Sequence, residues 1–197
     1  TYVDECDVTE LVSFRKEAKA IAEKQGIKLT YIPFITKAVI RGLKAFPYLN
    51  STLDEQAQNI ILKNYYNIGI AVDSEDGLVV PVLKNADKKS ILELAHEMEE
   101  LATKARTKKL ALEDLQGGTF TITNAGNIGG MLATPVINYP EVAIFGVHKI
   151  SKRPFVKNDQ IVIADVIWLS VAVDHRVVDG AQAARFLNVV MEYLANP

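Results

Sequence analysis

The run "VIWLSVAVDH", residues 166–175, limits the fold more than any other stretch. It reads as a strand. Side chains on a strand alternate with period two, so Ile167, Leu169, Val171 and Val173 share one face and His175 is expected at the end of it. A face this apolar has to be covered by a second layer. After the run, Asp174-His175-Arg176 leads through two valines to Asp179-Gly180. Asp179, with Gln182 three residues on, is expected to cap a last helix whose apolar face holds Ala183, Phe186, Leu187, Val190, Met191 and Leu194. On this segment alone, His175 as the polar edge of a core strand and Asp179 as an N-cap outweigh catalysis. A single histidine among neighbours of mixed polarity rarely carries a site.

The rest of the chain supplies the covering layer. Val8, Leu11, Phe14, Ala18, Ile21 and Ala22 recur at helical spacing, with Asp7 and Glu10 placed as a capping box and Gly26 as the stop. Pro33 suits the first turn of a second helix, whose apolar positions Ile35, Val39, Leu43 and Phe46 run on to Pro47. The stretches "NSTLDEQAQNIILKN" and "YYNIGIAVDSEDGLVVPVLKN" read as two hairpins, the second turning at Glu75-Asp76-Gly77. Ser90 and Glu93 form another capping box, ahead of a third helix on Ile91, Leu94, Ala95, Met98, Leu101, Ala102 and Ala105. "GGTFTITN" and "EVAIFGVHKI" are further strand candidates, and the polar "KRPFVKNDQ" is expected to be a turn region. Helices and strands mixed without strict alternation predict a layered α/β domain around a mixed sheet, with no repeat and no linker.

Composition excludes several classes of function. A chain of 197 residues with 49% hydrophobic positions buries a substantial core and fits one domain, or at most two small ones. A net charge of -2, with Lys and Arg spread along the chain, provides no basic stripe for nucleic acid. The single cysteine, Cys6, allows neither an intrachain disulfide nor a CxxC zinc pair. It also makes a poor nucleophile, because Asp4, Glu5 and Asp7 would raise its pKa, so a cysteine hydrolase is rejected. No apolar stretch reaches membrane-spanning length and no signal peptide is evident, which places the chain in the cytoplasm, or in the mitochondrial matrix if it is eukaryotic. The glycines of "NAGNIGG" do not follow GxGxxG, so a dinucleotide fingerprint is a poor reading. Thr119, Thr121 and Thr123 share a strand face opposite Phe120 and Ile122, and spacing alone makes them a solvated threonine ladder. His96 lies off the helical stripe, at the surface, and His148 is expected at a sheet edge without a role.

Whole motifs shift the balance. "DHRVVDG" resembles the HxxxDG signature of the CoA-dependent acyltransferases, and in its DHR form is similar to the dihydrolipoamide acyltransferases, the E2 components of 2-oxo acid dehydrogenase complexes. "NIGIAVDSEDGLVVPVLKNADKKSI", "GGTFTITNAGNIGG" and "TPVINYPEVAIFGVHKI" resemble the corresponding stretches of the same catalytic domain, in the same order. The resemblance extends from Tyr2 to Pro197 and implies one catalytic domain, 1–197, with a two-layer mixed sheet and flanking helices of the chloramphenicol-acetyltransferase-like kind.

The implied activity is transfer of an acyl group, acetyl or branched-chain rather than succinyl, between dihydrolipoamide and coenzyme A. Coenzyme A is then a substrate, the lipoyl group arrives on a separate domain, and no metal takes part. A thiol with a pKa near 8.5 is mostly protonated at neutral pH, so its attack on a thioester needs a base. The resemblance puts His175 in that role, which suits a side chain that titrates near neutrality. It puts Thr123 where the family donates a hydrogen bond to the oxyanion, and Asp179 in support of the loop that presents His175. Asn124, Gly126, Asp174 and Arg176 are its candidates for the substrate and coenzyme A channel, with Asn124 and the nearby glycines shaping the loop beside Thr123.

The family further implies a homotrimer that joins into a larger cage, with base and donor from adjacent subunits. E1 and E3 components would bind through domains outside this sequence. The family's domain normally opens with a segment carrying a basic helix and an arginine able to pair with the motif aspartate, and closes with a short apolar tail after Asn196-Pro197. Neither is in the sequence, which is therefore expected to be the core of a longer protein. Two other readings share the fold: a free-standing CoA-dependent acetyltransferase of a small-molecule acceptor, and a non-catalytic scaffold.

Overall fold

The apolar run forms the second half of a long strand inside a mixed sheet. The computed structural model describes residues 1–75, 77–126 and 128–197. In chain order its elements are β1 (Tyr2–Asp7), α1 (Thr9–Lys24), α2 (Ile32–Ala45), β2 (Ser51–Asp54), β3 (Asn59–Leu62), β4 (Ile68–Ile70), β5 (Val72–Ser74) and β6 (Gly77–Val79). There follow β7 (Val82–Leu83), α3 (Ile91–Arg106), α4 (Leu112–Leu115), β8 (Phe120–Asn124), β9 (Ala143–Val147), β10 (Ser151–Lys157), β11 (Gln160–Val173) and α5 (Gly180–Ala195).

The main sheet runs β1-β11-β9-β8-β4-β7, with β10 also paired to β11. β8 is parallel to both β4 and β9, and the other pairings are antiparallel. The core lies between one face of this sheet and the helices: Leu11, Val39, Leu43, Leu94, Leu187 and Val190 meet Ile68, Phe120, Phe145, Ile167, Leu169 and Val171. Phe186 of α5 sits 6.0 Å from the Phe120 ring and 6.1 Å from the Phe145 ring, centroid to centroid. Gly42 of α2 is required at this junction, because a Cβ there would stand 2.7 Å from Cε2 of Phe186.

The second face of the sheet is covered by the segment between β8 and β9. The Ser170 hydroxyl donates to the Ala133 carbonyl at 3.0 Å, and Asn138 Nδ2 donates to Thr121 Oγ1 at 3.3 Å. Thr119 and Thr121 are therefore buried rather than forming a solvated ladder, and only Thr123 of the three is partly open.

Both hairpins of the middle region form, as β2–β3 and β5–β6; of the expected turn at Glu75-Asp76-Gly77, Asp76 lies outside the described residues. The second hairpin is flanked by β4 and β7, which join the main sheet. The Ser90 capping box is present, with Glu93 N–H on Ser90 Oγ at 3.2 Å and Ser90 N–H on Glu93 Oε2 at 2.7 Å. Other expectations need correction. α1 starts at Thr9, because Asp7 Oδ1 accepts from both the Thr9 N–H and the Thr9 hydroxyl rather than forming a box with Glu10. Phe14 and Ile21 of its stripe are exposed. "KRPFVKNDQ" is mostly strand: β10 pairs along the first half of β11, and the turn is confined to Asn158 and Asp159, both at positive φ (52° and 59°) as a two-residue hairpin turn demands.

Candidate active site

The structure moves His175 off the strand. β11 ends at Val173, where Asp174 N–H bonds to the Val142 carbonyl at 2.8 Å, and the chain then turns, with Val177 and Val178 N–H groups both bonding to Asp174 O. His175 is exposed on that turn and does not continue the apolar face, whose members Ile167, Leu169 and Val171 are buried as expected. The turn is braced on both sides. Asp174 accepts from the Arg176 N–H and guanidinium, which holds its carboxyl below the usual carboxylate range, and Arg176 Nη1 reaches Glu55 Oε1 at 2.6 Å. Asp179 caps α5 by accepting the Gln182 N–H at 2.7 Å, and Val178 between them is fully buried. Asp174, Arg176 and Asp179 thus fix the loop that presents the imidazole.

Thr123 lies near the carboxyl end of β8, paired with Gly146 of β9, which is itself paired with Ser170 of β11. Asn124 Oδ1 accepts the Gly126 N–H at 3.0 Å, which tightens the turn after the strand; Asn127 of "NAGNIGG" lies outside the described residues. Among the described residues, neither the Thr123 hydroxyl nor the His175 ring has a hydrogen-bond partner, so both groups are unspent.

Within one chain these two residues are apart. Thr123 is level with Ser170, three residues before the end of β11 and two strands away. Strand geometry puts about 10 Å along and about 10 Å across between Thr123 and Val173, with His175 beyond. A hydroxyl and an imidazole cannot act on one carbonyl across that span.

The other candidates fall as follows. Cys6 is buried, and burial first, then Asp7 and Asp4, push its thiol up to about 12, which removes it as a nucleophile. His96 is at the surface beside Glu100. His148 is not at a sheet edge: β9 is an interior strand, and the ring is 6% exposed with Nε2 3.1 Å from Ser170 Oγ, its pKa lowered by burial. Glu141, which the sequence reading passed over, is 7% exposed beside Thr121 and Asn138, and burial pushes its carboxyl up to about 7 against their hydrogen bonds. Among the described residues there is no cluster of three or more His, Cys, Asp or Glu that could hold a metal, and no helix long and apolar enough to cross a membrane.

The layered sheet is that of a chloramphenicol-acetyltransferase-like protein: chloramphenicol acetyltransferase itself superposes with a TM-score of 0.62 over 98% of this chain and 86% of its own, at 12% identity, a likeness of fold alone. The family model for the 2-oxoacid dehydrogenases acyltransferase (catalytic domain) matches residues 1–197, and the chain belongs to that family. It is 50% identical over 197 residues to the dihydrolipoyllysine-residue acetyltransferase component of the pyruvate dehydrogenase complex of Bacillus subtilis, covering all of this chain and 45% of that one. The chain thus spans just under half the length of the curated relatives it matches. A solved dihydrolipoamide acetyltransferase of Azotobacter vinelandii, investigated for the role of a serine, a histidine and an asparagine in its catalytic mechanism, superposes with a TM-score of 0.96 at 48% identity, over 99% of this chain and 80% of that one. The cubic core of a pyruvate dehydrogenase multienzyme complex does so with a TM-score of 0.96 at 47% identity, over the same shares.

Proposed function

We propose that this chain transfers an acetyl group between dihydrolipoamide and coenzyme A, as catalytic and structural core of a 2-oxo acid dehydrogenase complex. One observation carries the reading: Thr123, His175 and Asp179 stand at the same intervals along the chain as the serine, histidine and asparagine studied in the Azotobacter enzyme, with the hydroxyl and imidazole both unspent. In the transfer, His175 accepts the coenzyme A thiol proton, and the thiolate sulfur attacks the thioester carbonyl carbon. Thr123 Oγ donates to the oxyanion, which collapses and expels the dihydrolipoamide sulfur, and the imidazolium returns the proton to it. Asp179 positions the His175 loop and moves no proton. Asn124 and Gly126 shape the coenzyme A path beside Thr123, and Asp174 and Arg176 form part of its wall.

The separation of Thr123 from His175 within one chain supports a site completed by a second copy. The assembly we propose is a trimer that joins into a larger particle, as the likeness to a cubic core favours. The lipoyl group, E1 and E3 belong to or bind through other domains, and the location is cytoplasmic. Acetyl transfer is tested by supplying acetyl-dihydrolipoamide and coenzyme A. The chain is expected to form acetyl-CoA, faster than with branched or succinyl donors, and folded His175→Ala to lose about 10²–10⁴-fold in kcat. Absence of transfer, or a His175→Ala variant as active as its parent, would remove the reading.

A further inference from the structure

The turn that carries His175 is held at its two ends by Asp174 N–H on the Val142 carbonyl, at 2.8 Å, and by the Asp179 cap on α5. Arg176 gives it a further tie, to a distant element. Its Nε and Nη2 donate to the Asp174 carboxylate at 3.0 and 2.7 Å, which sets the direction of the guanidinium fork, and Nη1 then donates to Glu55 Oε1 at 2.6 Å. Glu55 stands in the turn between β2 and β3, 121 residues away along the chain. That turn is set by its own neighbours: Asp54 Oδ1 accepts the Gln56 and Ala57 N–H groups at 3.1 and 3.0 Å. At the base of the hairpin, buried Asn50 donates Nδ2 to the Lys63 and Tyr65 carbonyls at 2.8 and 3.0 Å. Thr52 of β2 forms a bridge with Glu141, the residue before Val142.

Hairpin and turn are therefore fastened to the same pair of residues, Glu141 and Val142, and the Arg176–Glu55 bond closes the circuit between them. Both partners of that bond are more than half exposed, at 61 and 62%, and an exposed ion pair adds little to the stability of a fold. Catalysis is less tolerant: displacing a reacting group by about 1 Å can cost about 10²-fold in rate. The circuit therefore matters for where the imidazole stands rather than for whether the chain folds. We propose that Glu55 is a positioning residue for the base, acting through Arg176 to hold the turn that presents His175 in the reaction proposed above, on which reading the inference rests.

The test compares the assembled protein with its Glu55→Ala and Glu55→Gln variants by acetyl-transfer kinetics, urea unfolding and hydrogen exchange of the 174–178 segment. Glu55→Ala is expected to lower kcat about 10-fold, with KM for both substrates and the urea midpoint unchanged. It should also speed exchange of the Arg176, Val177 and Val178 N–H groups, all of which bond to Asp174. Glu55→Gln, which keeps an acceptor for Arg176 Nη1, is expected to recover most of both losses. If the parent forms acetyl-CoA and Glu55→Ala leaves exchange of the segment unchanged, the inference fails and the proposed function stands. Faster exchange with parental kcat would also overturn it, since the chemistry would not depend on the brace. A raised KM with kcat held would make Glu55 a substrate contact instead, and a fall in the urea midpoint in step with kcat would make it a prop of the fold. If the parent itself forms no acetyl-CoA, the proposed function falls, and the role of Glu55 in it falls too.

Discussion

Thr121 and Thr123 are two residues apart on one strand face, and their surroundings differ. Thr121 is buried beside the Glu141 carboxyl and accepts from Asn138, whereas the Thr123 hydroxyl is partly open and has no hydrogen-bond partner among the described residues. Thr123→Ala is expected to lower kcat by about 10²-fold with KM little changed, and Thr123→Ser to keep most activity. Thr121→Ala should be felt in stability instead, by about 1–3 kcal/mol, because it leaves the Asn138 amide without its acceptor beside a buried acid. Steady-state kinetics beside urea unfolding of the three variants separates the roles; equal losses of kcat in Thr121→Ala and Thr123→Ala would refute the assignment. Glu141 makes a second prediction. Its folded pKa of about 7 stands above the ordinary glutamate value, so the folded chain holds this proton more tightly than the unfolded chain does. The resulting stabilisation is fully present below about pH 4.3 and is lost as pH rises through about 7. Against Glu141→Gln, which keeps the side chain's size without its titration, the wild type should lose up to roughly 3 kcal/mol over that window, read as urea midpoints at pH 5 and pH 8. Parallel pH profiles would show that Glu141 carries no such burden. His175 and Asp179 stand out in the sequence because they share one local motif of fixed spacing, whereas Thr123 stands out only through the resemblance of its whole segment, its spacing alone reading as a threonine ladder. Glu141, His148 and Glu55 acquire their surroundings only when distant segments pack, so no spacing announced them.

At the scale of elements, the helices announce themselves through apolar periodicity and caps, and Ser90 with Glu93 forms the box that its spacing predicts. Polar strands do not. β10 carries Lys152, Arg153 and Lys157 and only its pairing with β11 makes it a strand, so "KRPFVKNDQ" reads as a loop until the partner is known. β11 stops two residues short of its apparent end because Asp174 turns to accept from Arg176, an ion-pair effect that alternation does not register. Helix packing is equally hidden: Gly42 looks like a weakness in α2, yet its lack of a side chain is what admits Phe186. That ring is wedged between Phe120 and Phe145 and cannot move aside. Gly42→Ala is therefore expected to destabilise the fold by about 1–3 kcal/mol by overpacking, despite alanine's better helix propensity. A gain in the urea midpoint would mean that α2 and α5 sit further apart than described.

On the proposed function a single chain leaves the site unfinished, with Thr123 and His175 two strands apart and large apolar side chains in the open. Met131, Val136 and Tyr139 between β8 and β9, and Ile161 and Ile163 at the start of β11, are exposed on the single chain, and apolar surface of this kind marks faces that other copies cover. A closed ring, in which the His175 of each chain faces the Thr123 of the next, accounts for both facts. Its consequence is complementation between two inactive variants. In a trimer containing both His175→Ala and Thr123→Ala chains, one junction always joins an intact histidine to an intact threonine, so random mixing in equal amounts should restore about a quarter of wild-type activity. The decisive measurement is the acetyl-transfer rate after the two variants are dissociated, mixed and reassembled, with mixed trimers verified by mass. Recovery to that level is the result expected; mixed trimers no more active than either parent would place base and donor in one subunit and contradict the shared site.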